Sequence, residues 1–213
     1  MTSSTASVHA GDSDHVRYRI CVSGAAQTEQ CGEGSFEIAM TLGKEIASRG
    51  AILIDGATTG FPFWVARGAK EAGGMAIGVS PAATDHEHAN VYKLPFEFHD
   101  LIVYTGFGYA GRNLLMTRSS DAVIIGCGRI GTFNEFTIAF EDNKPIGVLE
   151  GPWATDDIIK EIIAKAHRGT GKLVFSSNPK ELVDKIIALI ERESDECDEA
   201  CPDEPEMGNA HKG

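Results

Sequence analysis

Residues 122–135 read AVIIGCGRIGTFNE, and the reading of this stretch decides the fold. Four consecutive apolar residues, Ala122 to Ile125, fit a short strand buried on both faces. The run breaks at Gly126, and helical spacing takes over from Thr132 to about Asp142. A strand that ends in a glycine turn and feeds a helix is the repeating unit of parallel α/β sheets. The same unit gathers backbone N–H groups and the positive end of a helix dipole at one point, which favours a bound anion.

The pattern repeats outward from there. Residues 17–23 (RYRICVS) predict a strand that runs into Gly24, and 35–49 predict a helix with Phe36, Ala39, Met40, Gly43, Ile46 and Ala47 at helical spacing. Residues 51–55 (AILID) predict a buried strand broken by Gly56-Ala57-Thr58-Thr59-Gly60, with a helix over 62–72. Strands are expected at 75–80, 101–104, 145–149 and 172–175, and helices at 110–119, 156–167 and 179–192. Residues 81–99 show no periodicity and read as a loop. This alternation predicts a Rossmann-like, doubly wound α/β fold, a single domain over 17–192 with a mainly parallel sheet and helices on both faces. Residues 1–16 and the acidic 193–213 have the composition of disordered tails.

Composition excludes several roles. The formal net charge is −12, which opposes the positive field that nucleic-acid binding requires, so no nucleic-acid partner is expected. No apolar run reaches the eighteen or so residues that a membrane span needs, and the N-terminal residues lack the apolar core of a signal peptide. A cytoplasmic location without membrane contact follows as the expectation. Five cysteines at irregular spacing fit reduced thiols better than a disulfide framework.

Three glycine turns fall at one sheet edge, where ligands of such sheets bind. The candidate phosphate or nucleotide site takes Ser23 and Gly24 from the first turn, and Gly56, Thr58, Thr59 and Gly60 from the second. The third supplies Gly128, Arg129, Ile130, Gly131 and Thr132. Glu135 follows Thr132 by three positions and so shares its helix face. Arg112, in the first turn of the helix over 110–119, suits a phosphate or carboxylate partner. The histidines of Asp85-His86-Glu87-His88 and His99 read as an exposed polar loop without ligand spacing, and Cys197, Cys201 and His211 read as part of the acidic tail, so no metal is expected. Cys127 lacks a histidine nearby in sequence and is not read as a nucleophile, and Phe61, Phe63 and Trp64 read as packing residues.

These segments resemble the LOG-like group of the Rossmann-like nucleotide-binding superfamily called SLOG, long mislabelled "lysine decarboxylase". The group's PGGxGTxxE pattern, preceded by an arginine with a methionine four residues on, is matched by CGRIGTFNE at 127–135 and by Arg112 with Met116. DGATTG at 55–60 and SGAA at 23–26 resemble its other two turns. The group includes cytokinin-activating phosphoribohydrolases, bacterial proteins of unassigned role and a molybdenum-cofactor carrier. In the hydrolases the arginine and the final glutamate of the motif are essential, so the resemblance implies Arg112 and Glu135 as a catalytic pair. They would cleave the N-glycosidic bond of a nucleoside 5′-monophosphate to base and ribose 5-phosphate. The alternative is a non-catalytic carrier or sensor of a nucleotide or molybdopterin-type cofactor. Cys127 and Arg129 replace the motif's proline and second glycine, and Asn113 replaces the lysine that commonly follows the arginine, which places the chain nearer the unassigned and carrier branch. No cofactor is required on this reading, a bound nucleotide or phosphate is expected, and the resemblance implies a homodimer or homotetramer.

Overall fold

The computed structural model describes residues 17–200, with side chains to 193; the terminal segments, with Cys197, Cys201 and His211 among their residues, lie outside the described side chains. Seven strands alternate with seven helices within these residues. The strands are β1 (Arg19–Ser23), β2 (Ile52–Asp55), β3 (Met75–Ser80), β4 (Leu101–Tyr104), β5 (Ala122–Ile125), β6 (Ile146–Leu149) and β7 (Leu173–Ser176). They form one sheet in the order β4-β3-β2-β1-β5-β6-β7, and every pairing is parallel. The chain winds outward from β1 in one direction, then returns to the centre at β5 and winds out the other way. The crevice between β1 and β5 is therefore the topological switch point. Ser23 and Ile125 stand side by side there in register.

The helices α1 (Ser35–Ser48), α2 (Phe61–Glu71) and α7 (Pro179–Ala200) cover one face. Leu42 and Ile46 of α1, Val65 and Ala69 of α2, and Leu182 and Ile186 of α7 pack there against Ile20, Leu53 and Ile124. The helices α4 (Gly108–Arg118), α5 (Ile130–Glu141) and α6 (Thr155–Ala166) cover the other face, where Met116, Phe136 and Ile159 meet Cys21, Val123 and Val148. β5 and β6 are buried along their whole length, which is why they read as unbroken apolar runs without alternation. No helix among the described residues is long and apolar enough to cross a membrane.

Five expectations need correction. The 81–99 segment is not all loop, because Asp85–Asn90 form a short helix, α3. His88 is not exposed, since its ring is buried between Ser80 Oγ (2.8 Å) and the Pro95 carbonyl (2.9 Å). α4 begins at Gly108, so Arg112 sits in its second turn rather than its first. The cysteines are not all reduced thiols, because Cys31 and Cys127 are joined by a disulfide across 96 residues, while Cys21 is free and buried. Helix α7 also continues to Ala200, past the end at 192 that periodicity suggests.

Candidate functional site

A cavity of about 550 Å³ opens at the carboxyl edge of the sheet, over the switch point. Its floor comes from the turn after β1 (Gly24 to Gln27) and its far wall from the N-terminus of α5 (Arg129 to Thr132, with Glu135). Thr58 and Thr59 add the turn after β2, and Arg112 and Asn113 project from α4. Tyr92, Lys93 and Leu94, together with Tyr109, form the remaining wall.

Of the thirteen residues expected at the site, the cavity brings together Gly24, Thr58, Thr59, Arg112, Arg129, Ile130, Gly131, Thr132 and Glu135. Ser23, Gly56, Gly60 and Gly128 stand behind its surface. Ser23 Oγ donates a hydrogen bond to Glu135 Oε2. A side chain at Gly56 would collide with the Arg112 guanidinium, 1.6 Å from Nη1. Gly60 packs on the Ala25 and Ala26 carbonyls. The Gly128 N–H is turned away from the cavity and donates to Thr155 Oγ1 at 2.8 Å. The amides left to face a ligand from this turn are thus those at the start of α5, around Gly131 and Thr132.

The turns after β1 and β5 are locked together from beneath. Phe61 is fully buried, and a Cβ on Gly24 or Gly126 would fall 2.8 Å and 2.3 Å from its ring. Trp153 meets the same ring edge-on at 5.7 Å. The Ala25 N–H donates to the Cys127 carbonyl at 2.7 Å, and the Phe61 N–H to the Ala25 carbonyl at 2.9 Å. The glycines here make room for an aromatic ring, and only on the other side of the turns does the chain meet the cavity.

Many lysines and arginines are paired with carboxylates, as Arg19 is with Asp121, Arg49 with Asp184 and Lys160 with Glu150. Lys93, Arg112 and Arg129 line the cavity, and none has a carboxylate at ion-pair distance among the described residues. Arg129 Nη1 donates to the Gln27 side-chain carbonyl across the floor. Arg112 is 6% exposed, its Nε is buried without a partner, and its one hydrogen bond is a long contact of 3.4 Å from Nη1 to the Val79 carbonyl. A guanidinium left this poorly satisfied in a buried position calls for an anion.

Glu135 is also buried, at 6% exposure. Burial pushes its carboxyl above the usual range, and the Arg112 charge and the Ser23 hydrogen bond offset only part of this. A second buried acid, Asp55, caps the β2 turn by accepting from the Ala57 N–H (2.7 Å) and from His99 Nε2 (2.8 Å). Burial pulls His99 down, but Asp55, the Glu97 backbone and Asp100 together outweigh it and the net shift is upward. Sequence reading missed this pair, as it missed Gln27, Tyr92, Lys93, Leu94 and Tyr109. Tyr92 and Lys93 lie in the segment without periodicity, and Tyr109 lies just before the helix expected over 110–119.

The family model described as the SLOG cluster4 family matches residues 17–183. The chain belongs to that family. An uncharacterized protein of Archaeoglobus fulgidus is 34% identical over 123 residues, which are 58% of this chain and 76% of the relative. Among solved structures, the molybdenum cofactor binding protein of Rippkaea orientalis is 27% identical with a TM-score of 0.66, covering 84% of this chain and 98% of that one. The molybdenum cofactor carrier protein of Chlamydomonas reinhardtii has the same fold, at 24% identity and a TM-score of 0.66, over 83% of this chain and 99% of that one. The SLOG cluster4 match spans all three glycine turns together with Arg112 and Glu135.

Proposed function

We propose that this protein binds a small phosphate-bearing ligand at the switch-point cavity and holds it without turning it over. The observation that carries the reading is Arg112, a buried guanidinium facing a cavity with its hydrogen bonds largely unmade. The amides at the start of α5, the Thr132 hydroxyl and Arg129 are placed to take the phosphate, and Arg112 the charge next to it. The ligand class is a nucleoside 5′-phosphate or a phosphorylated pterin cofactor. The similarity to a molybdenum cofactor binding protein and a molybdenum cofactor carrier protein supports the second member of that class. Assembly into a homodimer or homotetramer is part of the same proposal.

The second reading is hydrolysis of a nucleoside 5′-monophosphate, favoured by Glu135 reaching the same cavity as Arg112. There an ionised carboxylate beside the ribose would stabilise the oxocarbenium-like transition state. Burial raises the Glu135 carboxyl, so ionising it there is costlier than in water, which favours the first reading.

A thermal-shift panel of phosphate, ribose 5-phosphate, AMP and a pterin monophosphate tests the binding reading. At ligand concentrations about a hundredfold above Kd, stabilisation of about 3 kcal/mol is expected, with loss of the shift in Arg112→Ala. A shift that survives Arg112→Ala would overturn it. Release of free adenine from AMP, abolished by Glu135→Ala, would establish the second reading in its place.

A further inference from the structure

We infer that Tyr92, Lys93 and Tyr109 form a separate subsite for a planar aromatic ring carried by the phosphate-bearing ligand. This deepens the binding proposal and rests on it.

The cavity is far larger than a phosphate needs. A volume of about 550 Å³ lies in the range of clefts that hold whole cofactors or drug-sized molecules. Its lining combines two chemistries. The start of α5 contributes Arg129, Gly131 and Thr132. Tyr92 and Tyr109 contribute two tyrosine rings. These rings stack edge to face, with centroids 5.4 Å apart and planes at 82°. Tyr109 is 52% exposed, so it holds a large aromatic face in water. An aromatic ring left open inside a cleft is a stacking platform, and every heteroaromatic ring has a π-face to offer it.

Two neighbours make the wall more selective. Lys93 lines the cavity between Tyr92 and Leu94 and has no ion-pair partner among the described residues, so its ammonium is free to meet the electron-rich edge of a heterocycle. Arg112 lies under Tyr109, with its guanidinium carbon 5.8 Å from the ring centroid. The residue that meets the anion therefore also supports the ring platform. A ligand that carries both a phosphate and a flat heterocycle satisfies both parts of the lining, whereas a sugar phosphate alone leaves the tyrosine wall wet.

The test compares ligands that share a phosphate and differ in the ring. Calorimetric titration of ribose 5-phosphate, AMP and a pterin monophosphate is expected to show at least one ring-bearing ligand binding about fivefold or more tightly than ribose 5-phosphate. Tyr92→Ala and Tyr109→Ala should each erase most of that preference while leaving ribose 5-phosphate within about twofold, and Tyr109→Phe should keep it. Tyr92→Ala matters because it leaves the Arg112–Tyr109 contact untouched. The subsite is overturned if the ring adds no affinity in the wild type, or if both alanine variants weaken ribose 5-phosphate and ring-bearing ligands by the same factor. The underlying phosphate reading fails in a different way, by ribose 5-phosphate and inorganic phosphate not binding or by Arg112→Ala leaving their affinity unchanged. In that case the subsite falls with it.

Discussion

At the scale of single residues, the site holds groups that the fold itself would do better without. Glu135 is the clearest case. Its carboxyl is raised by burial, so the folded chain binds that proton more tightly than the unfolded chain does. Stability contributed at this position therefore falls as pH climbs from the ordinary glutamate range through the raised value, and stays low above it. Glu135→Gln keeps the shape and the Ser23 partner but cannot ionise. It is expected to melt about 2–5 °C above wild type at neutral pH, with the gap closing in acid. Scanning calorimetry across pH checks this; a variant that melts below wild type at neutral pH would show that the carboxylate is net stabilising. Arg112 has the same character, a buried cation whose Nε finds no partner in the protein.

At the scale of elements, the segment between β1 and α1 is weakly attached. Across residues 26–34, Cys31 alone is buried. The Cys31–Cys127 bond ties this segment to the start of the α5 turn, and the contacts of Thr59 with the Ala26 carbonyl and Arg129 with Gln27 are the polar ties beside it. A disulfide typically contributes about 2–4 kcal/mol, and a loop this long lies toward the upper end. Cys31→Ser is expected to lower the melting temperature by about 5–10 °C relative to oxidised wild type, and the difference should vanish when both are unfolded and refolded in dithiothreitol. Equal melting of the oxidised wild type and the variant would count against a stabilising cross-link. This pairing could not be read from sequence, because irregular cysteine spacing says nothing about which thiols meet after four strands and four helices intervene. Helix α3 was more legible than the periodicity suggested. With six residues it is too short to show a period, yet Thr84 accepts from the Glu87 N–H and Glu87 accepts from the Ala83 N–H, close to the reciprocal pairing of a capping box. The strands were legible because a buried parallel strand needs an unbroken apolar run, and the glycine turns because they follow those runs.

At the scale of the whole molecule, the strand order puts the cavity where doubly wound sheets bind ligands, and this too was readable from the alternation of strands and helices. The tyrosine wall was not readable, since Tyr92 and Tyr109 come together only when α4 is laid beside the α3 segment. Leu101 and Val103 of the edge strand β4, and Leu114 and Leu115 of α4, keep apolar side chains in water. An open strand edge with apolar side chains suits pairing with another copy. Light scattering at micromolar concentration is expected to give at least twice the 22.8 kDa chain mass, with Leu115→Glu shifting the species toward monomer. A monomer at every concentration would refute assembly.

Phe61 has a mechanical consequence. One benzene ring plugs the space under two chain reversals that belong to opposite halves of the winding, so neither can lift without opening a void beneath the other. Motion on the two sides of the crevice is therefore geared, and whatever seats on one side pulls the other into step.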